Sequence, residues 1–324
     1  MKAIAIDSYG GPEKLRLTEL PDPRPGPGEA LVRVRAASVN PLDWKIRSGQ
    51  LRLFLRLGFP YIPGSDVAGE VVEVGGQMSR FKPGENVVAF VDPKLGGGYG
   101  ELALVKETAA ATKPESLSFT EAACLPIAGC TALQGLRDVG KLPPGGSVLV
   151  LGGAGGVGHF AIQIAKALGA RVSATCSASN IEFVRSLGAD LVMDYRKEDY
   201  TTRSERYHMI FDTVAASSFS VCESLLEPGG VYVTTLPSLD VLFWGLVKAI
   251  IARFGMTKRA KMLMVRPGAK CLVFLGRLAD EGRLRPHVDK IYPLASAEDA
   301  QQARAKRAMC AERSSCSVSE HVQF

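Results

Sequence analysis

Gly152-Gly153-Ala154-Gly155-Gly156-Val157-Gly158 lies between the apolar run Ser147-Val148-Leu149-Val150-Leu151 and a helical stripe through Ala161, Ile164, Ala165 and Leu168. Gly153, Gly155 and Gly158 satisfy G-x-G-x-x-G, and a strand before and a helix after give that spacing its meaning. In such a turn the first glycine permits a sharp bend and the second lets backbone amides approach a pyrophosphate. The third lets helix pack on strand, and the helix N-terminus adds positive potential. The segment therefore predicts a dinucleotide site built from Gly153, Ala154, Gly155, Gly156, Val157 and Gly158.

Working outward, buried runs at 191–193, 209–211 and 230–235 alternate with helical positions at Val184, Leu187 and the Leu225-Leu226 pair. Right-handed crossovers build such a rhythm into one doubly wound parallel sheet. Upstream, short apolar runs at 30–34, 66–74, 86–91 and 101–105 are separated by glycine and proline, the pattern of an all-β, barrel-like region. After Pro267, the helical run Leu272-x-x-Leu275-x-x-Leu278 gives way to Ile291-Tyr292-Pro293-Leu294, a strand able to return to the N-terminal region. The predicted organisation is α/β: a β-barrel domain over 1–125, completed by 268–324, and a dinucleotide-binding domain over 126–267.

Composition agrees. The 324 residues suffice for two ordinary domains, and 46% hydrophobic against 22% charged residues excludes disorder, collagen and a disulfide-stapled miniprotein. A formal charge of +6 suits anionic small molecules and is no nucleic-acid signature. Seven cysteines, an odd number without a Cys-x-x-Cys pair, suggest neither a disulfide framework nor a zinc knuckle, and point to a reducing, cytoplasmic compartment. No uninterrupted apolar run reaches the roughly 20 residues that span a bilayer.

The strand Arg171-Val172-Ser173-Ala174-Thr175-Cys176 ends where NAD-binding folds place an acid for the adenosine ribose hydroxyls. Here Ser177-Ala178-Ser179-Asn180 follows, and no carboxylate occurs between Ala170 and Glu182. Nothing there repels a 2′-phosphate, and Ser177, Ser179 and Asn180 are able to hydrogen-bond to it, so NADPH is the expected cofactor. The same small polar residues also read as a helix cap.

Several stretches resemble a family: Val39-Asn40-Pro41-Leu42-Asp43-Trp44-Lys45, Pro63-Gly64-Ser65-Asp66-Val67-Ala68-Gly69-Glu70-Val71, Gly129-Cys130-Thr131-Ala132-Leu133, Gly155-Gly156-Val157-Gly158-His159 and Leu187-Gly188-Ala189-Asp190. Together they resemble the zinc-independent quinone oxidoreductase branch of the medium-chain dehydrogenase/reductases, with a pattern most like the chloroplast-envelope quinone oxidoreductase homologues and their bacterial relatives. The resemblance implies a GroES-like catalytic domain, a Rossmann domain inserted between its two parts, a homodimer, and NADPH-dependent hydride transfer to quinones or to α,β-unsaturated carbonyls such as enones and 2-alkenals. The competing reading is a non-catalytic nucleotide-sensing or structural protein that retains the fold.

The chemistry of the residues fits the zinc-free branch. A catalytic zinc takes about three nitrogen or sulfur ligands, and a structural zinc in this superfamily takes four closely spaced cysteines. This chain has Asn40 and Ser65-Asp66 at the ligand positions, and its four histidines are scattered, so no metal is expected. By resemblance Asn40 and Asp43 lie beside the nicotinamide, with Asn40 a candidate donor to the substrate carbonyl or cofactor ribose; turn-making around Pro41 is the alternative. Thr131 reads as a contact to the cofactor or as a packing residue, and Tyr195 as a neighbour of the adenosine phosphate or an ordinary strand-end tyrosine. Tyr61 is a weaker candidate proton donor.

The apolar segment 242–254, with basic Lys258, Arg259 and Lys261, reads first as pocket lining or dimer contact; peripheral membrane contact through 242–261 is the less favoured alternative. The tail Ala308-Met309-Cys310-Ala311-Glu312-Arg313-Ser314-Ser315-Cys316 has neither strand alternation nor a helical stripe. A DNA run encoding a Gly-His-Val-Arg-Gly-Lys-Ile-Val-Leu ending, of the type the family carries, can encode this stretch when read one base later. The expectation is a frameshifted tail that has lost the terminal strand of the catalytic domain; the alternative is a genuine divergent tail.

Overall fold

The computed structural model describes residues 1–235, 258–313 and 319–323. Two compact units emerge, one from Met1–Cys130, Arg266–Ala308 and the C-terminal strand, the other from Thr131–Val265.

In the first unit, β1 (Lys2–Ala5) and β2 (Arg16–Glu19) form an antiparallel pair. A larger sheet holds β3 (Glu29–Ser38), β4 (Asp66–Val74), β5 (Asn86–Phe90), β6 (Leu102–Lys106) and β7 (Ala110–Thr112). The alternation along β3 sends Ala30, Val32 and Val34 into a core with Val67, Val71, Val87 and Ala89, while Arg33 and Arg35 face solvent. A second core gathers Ile4, Ile6, Val39, Ile46, Tyr61 and Tyr99 around the end of β3.

The second unit is one six-stranded sheet of β8 (Ser147–Leu151), β9 (Arg171–Cys176), β10 (Leu191–Asp194), β11 (Tyr207–Asp212), β12 (Leu226–Thr234) and β13 (Arg259–Met262). Its order is β10-β9-β8-β11-β12-β13 with every pairing parallel, the doubly wound Rossmann arrangement. All five residues of β8 are buried, as expected of a strand covered on both faces. The strand order reverses between β8 and β11, and the glycine loop leaves β8 at that point.

The chain then returns to the first unit. β14 (Val288–Pro293) and β15 (Ser319–Gln323) extend the large sheet to β14-β15-β3-β4-β5-β7, with β6 also on β3, so the region predicted as GroES-like is a seven-stranded sheet closed by the far end of the chain. Only β14 and β15 run parallel; the other pairs are antiparallel.

Two local expectations change. Leu226 opens β12 rather than sitting on a helix. The tail is not structureless: a helix runs over Ala297–Arg313, and β15 occupies the slot expected to be empty, with His321 opposite Ser38 and Val322 opposite Ala37. Residues 36–38 of β3 offer backbone donors and acceptors that a chain of almost any sequence can pair with, so the strand does not need the family's apolar ending. The apolar stretch 242–257 lies outside the described residues. Of its basic flank, Lys258 donates to the Glu223 carbonyl at 2.8 Å and Lys261 to the Val139 carbonyl at 2.7 Å, so both ammonium groups are engaged within the unit. Among the described residues no cysteine forms a disulfide and no helix is long and apolar enough to cross a membrane.

Candidate active site

In the second unit Gly152 takes the left-handed bend, with φ at +80°, one residue before the glycine expected to do so. Its N–H reaches Thr175 Oγ1 at 3.2 Å, and the Gly153 N–H donates to the Thr175 carbonyl at 2.8 Å. Thr175, unremarked in the sequence, therefore clamps the loop to the neighbouring strand. Gly153 is needed for space: a Cβ there would stand 3.0 Å from the Ala174 methyl and 3.1 Å from Ile162 Cδ1. At Gly158 a Cβ would come within 2.1 Å of the Gly152 carbonyl oxygen, so helix and strand approach as the third motif glycine requires.

Gly155 caps the helix Gly156–Ala167 in an extended conformation. The first-turn amides of Gly156, Val157 and Gly158 have no acceptor within the helix, and with the helix dipole they form a cradle for a diphosphate. His159 packs in that first turn, fully buried, with Nδ1 3.1 Å from the Gly155 carbonyl.

On the other side of the loop, Asp212 at the end of β11 accepts from the backbone N–H groups of Val214 (3.2 Å), Ala216 (3.2 Å) and Ser217 (2.9 Å), and from the Tyr232 hydroxyl at 2.8 Å. Burial raises its pKa, and these donors oppose that rise. The ordered turn holds Val214 against Gly152, where an added Cβ would meet Val214 Cγ1 at 2.7 Å.

The polar residues after β9 meet at one atom. Ser177 Oγ lies 3.0 Å from Ser179 Oγ and accepts from Asn180 Nδ2 at 2.9 Å. Tyr195 joins this corner through its N–H to the Cys176 carbonyl at 3.3 Å. The next residue, Arg196, is exposed, with its guanidinium 6.0 Å from the Tyr195 ring centre. It follows β10, the strand that neighbours β9, and so lies outside the 177–180 turn in sequence. Thr131 is buried on the short helix Cys130–Leu133 and takes part in neither polar cluster.

In the first unit the residues near Asn40 form a buried network that the sequence showed only in fragments. Ser38 donates a short hydrogen bond to Asp66 Oδ2, and the Asn40 amide donates to Ser38 Oγ at 2.8 Å and to Asp66 Oδ2 at 2.9 Å. The other Asp66 oxygen accepts the Ile127 N–H at 2.9 Å. Ser38 Oγ and Asp66 Oδ2, bonded to each other, lie in nearly the same direction from Asn40 Nδ2 and share one of its hydrogens, so the second N–H remains a donor, and Asn40 is held at the start of helix Pro41–Arg47. Asp43 closes the same cap, accepting the Asn40 N–H at 2.7 Å and the Tyr99 hydroxyl at 3.2 Å.

Burial pushes Asp43 up to about 7, with the Asp66 charge adding to the rise and the Asn40 and Tyr99 donors opposing it. Burial likewise pushes Asp66 up to about 7, against the donors Ser38, Asn40 and Ile127. Tyr61 donates to the Pro93 carbonyl at 2.7 Å, and burial holds its pKa well above the ordinary phenol value, so its hydroxyl braces a loop.

A catalytic zinc does not fit this donor set. Asn40 offers an amide in place of a thiolate, Ser65 a hydroxyl, and both Asp66 oxygens are taken by protein donors. Among the described residues no cluster of three or more histidine, cysteine or carboxylate groups is placed to hold a metal.

Two family profiles match the chain: an alcohol dehydrogenase GroES-like domain over residues 26–115 and a zinc-binding dehydrogenase over 187–310. The chloroplast envelope quinone oxidoreductase homolog of Arabidopsis thaliana is 39% identical over 310 residues, covering 93% of each protein. The chain belongs to the medium-chain dehydrogenase/reductase superfamily. Within it, the 2-methylene-furan-3-one reductase of Solanum lycopersicum is 36% identical over 300 residues, covering 89% of this chain and 71% of that protein. The structure of the quinone oxidoreductase from Coxiella burnetii superposes with a TM-score of 0.84 at 31% identity, over 100% of this chain and 99% of that one. The protein is thus an oxidoreductase of the quinone oxidoreductase branch, which acts on small molecules with a nicotinamide cofactor.

The raised carboxyl of Asp43 has a thermodynamic signature. A folded-state pKa above the unfolded value of about 3.9 means the native state holds the proton longer, so the group's contribution to stability falls as pH rises from about 4 to about 7. In urea unfolding the stability difference between wild type and Asp43→Asn is expected to fall across that window, at up to about 1.4 kcal/mol per pH unit where steepest. A pH-independent difference would show that Asp43 stays ionised.

Proposed function

We propose that the protein is an NADPH-dependent, metal-independent reductase of quinones or α,β-unsaturated carbonyls. The carrying observation is the pairing of the glycine loop with a carboxylate-free turn, Ser177 to Asn180, at the end of β9. In place of an acid that would bind two ribose hydroxyls and repel a phosphate, the turn presents two hydroxyls and an amide converging on Ser177 Oγ, with Arg196 following the next strand. When bound, the cofactor supplies a hydride.

The remaining work falls to the chain. Gly152–Gly158 with Thr175 holds the diphosphate turn in shape, and Ser177, Asn180 and Arg196 receive the 2′-phosphate. Asn40, oriented by Ser38 and Asp66, donates its remaining amide hydrogen to the substrate carbonyl or a cofactor ribose hydroxyl. The absence of fitting zinc ligands in this donor set supports the substrate class. Reducing an isolated carbonyl builds charge on one oxygen, which a Lewis acid or a positioned proton donor has to stabilise. A quinone or enone spreads that charge over its conjugated system, so hydride can add to one end and a proton to the other without a metal.

NADPH oxidation with a panel of quinones, 2-alkenals and enones tests the reading, with turnover of at least one class expected. Tight NADPH binding without oxidation by any acceptor would favour the nucleotide-sensing alternative. Ser177→Asp should weaken NADPH on the order of 1–3 kcal/mol and spare NADH; equal losses for both would remove Ser177 from the phosphate site. Activity should survive dialysis against a chelator, whereas one zinc per chain with chelator-sensitive turnover would overturn the metal-free mechanism.

A further inference from the structure

Residues 51–60, Leu-Arg-Leu-Phe-Leu-Arg-Leu-Gly-Phe-Pro, carry an exposed apolar surface outside the polar networks of the first unit. Leu53 is 86% exposed and Phe54 88%, adjacent in the chain, with Phe59 41% exposed nearby in sequence. Leu51, Leu55 and Leu57 turn the other way and pack on the core of the first unit. One turn of backbone fixes the display, with the N–H groups of Phe54 and Leu55 donating to the Leu51 carbonyl at 2.9 and 2.8 Å. Tyr9 secures its far side: the Leu57 N–H donates to the Tyr9 hydroxyl at 3.3 Å, and the Tyr9 ring meets Phe59 edge-on at 5.2 Å. The tip is therefore built, with one leucine set committed inward and a Leu-Phe pair held outward.

Along this stretch of chain the charge is of one sign. Between Trp44 and Ser65 there are Lys45, Arg47, Arg52 and Arg56 and no carboxylate. Arg47 is buried against Gln301 and the Gly10 carbonyl, whereas Arg52 and Arg56 are exposed and form no ion pair among the described residues.

We infer that the Leu53-Phe54 tip, flanked by Arg52 and Arg56, docks the protein on the surface of an anionic lipid bilayer. An aromatic and a leucine at the acyl boundary with arginines among the headgroups is the arrangement that such a surface binds, and two arginines suit acidic headgroups. The same charge opposes self-pairing, since two copies of the tip would bring four guanidinium groups together. The chain as a whole is cationic at +6, which adds attraction to the same surface. This contact differs from the one read at 242–261 in the sequence.

Sedimentation of the full chain with vesicles tests it. Binding is expected to phosphatidylcholine vesicles containing phosphatidylglycerol, weakened by salt, and not to phosphatidylcholine alone. Leu53→Ser with Phe54→Ser should lower the partition coefficient at least about tenfold, and Arg52→Gln with Arg56→Gln should do the same on the anionic vesicles, with melting temperatures unchanged because these side chains touch solvent. Should the serine pair fold poorly, Phe54→Trp gives a second measurement: a blue-shifted emission beyond that of wild type when anionic vesicles are added, quenched by brominated acyl chains. No wild-type binding to anionic vesicles, undiminished binding by the serine variant, or a tryptophan that senses no lipid would each overturn the inference. So would a serine variant whose only change is a smaller mass in solution, which would make the tip an interface between copies.

Discussion

The Asp66 carboxylate is the fixed point on which the first unit's functional surface depends. It stands at the start of β4 and binds, through its two oxygens, the hydroxyl of Ser38 at the end of β3, the side chain of Asn40 beyond it and the backbone of Ile127 in a separate helical segment. Three stretches far apart in sequence are thereby held at one buried point. Burying a carboxylate is costly unless donors surround it, and the three donors here oppose that cost without cancelling it, so its pKa stands at about 7. Substituting Asp66 would therefore disturb Asn40 first, because an isolated Asn40 amide is free to rotate and a clamped one is not.

Much of the second unit was legible in the sequence because its determinants are local. A strand, seven residues of glycine-rich turn and a helix are contiguous, and G-x-G-x-x-G states a steric requirement that the Gly158 contact with the Gly152 carbonyl satisfies. The duty of each glycine was less legible: φ values depend on how the turn meets β9, and Thr175, which sets that meeting, is 23 residues away. Arg196 was missed for a related reason, since parallel strands bring together residues that follow different strands.

The network around Asn40 shows a different limit. The sequence marks Asn40 and Asp43 as polar residues flanking a proline, and both are indeed the cap of a helix. Which way an amide points is decided by partners such as Ser38 and Asp66, and nothing in the spacing 38, 40, 66 signals that they converge. Those tertiary hydrogen bonds orient Asn40 without exhausting its capacity to donate. The tail teaches the converse: its side chains predict no strand, yet a backbone edge waiting at 36–38 is enough to recruit one.

That edge also has a place in time. Because the first unit is assembled from both ends of the chain, the ribosome releases the whole contiguous span of the second unit, through Val265, before the last parts of the first exist. The nascent protein therefore passes through an interval in which the nucleotide-binding sheet can fold while residues 36–38, two positions from Asn40, still expose unpaired backbone. That interval, rather than the finished molecule, is when mispairing with another strand is easiest, and β15, made after the whole second unit, ends it.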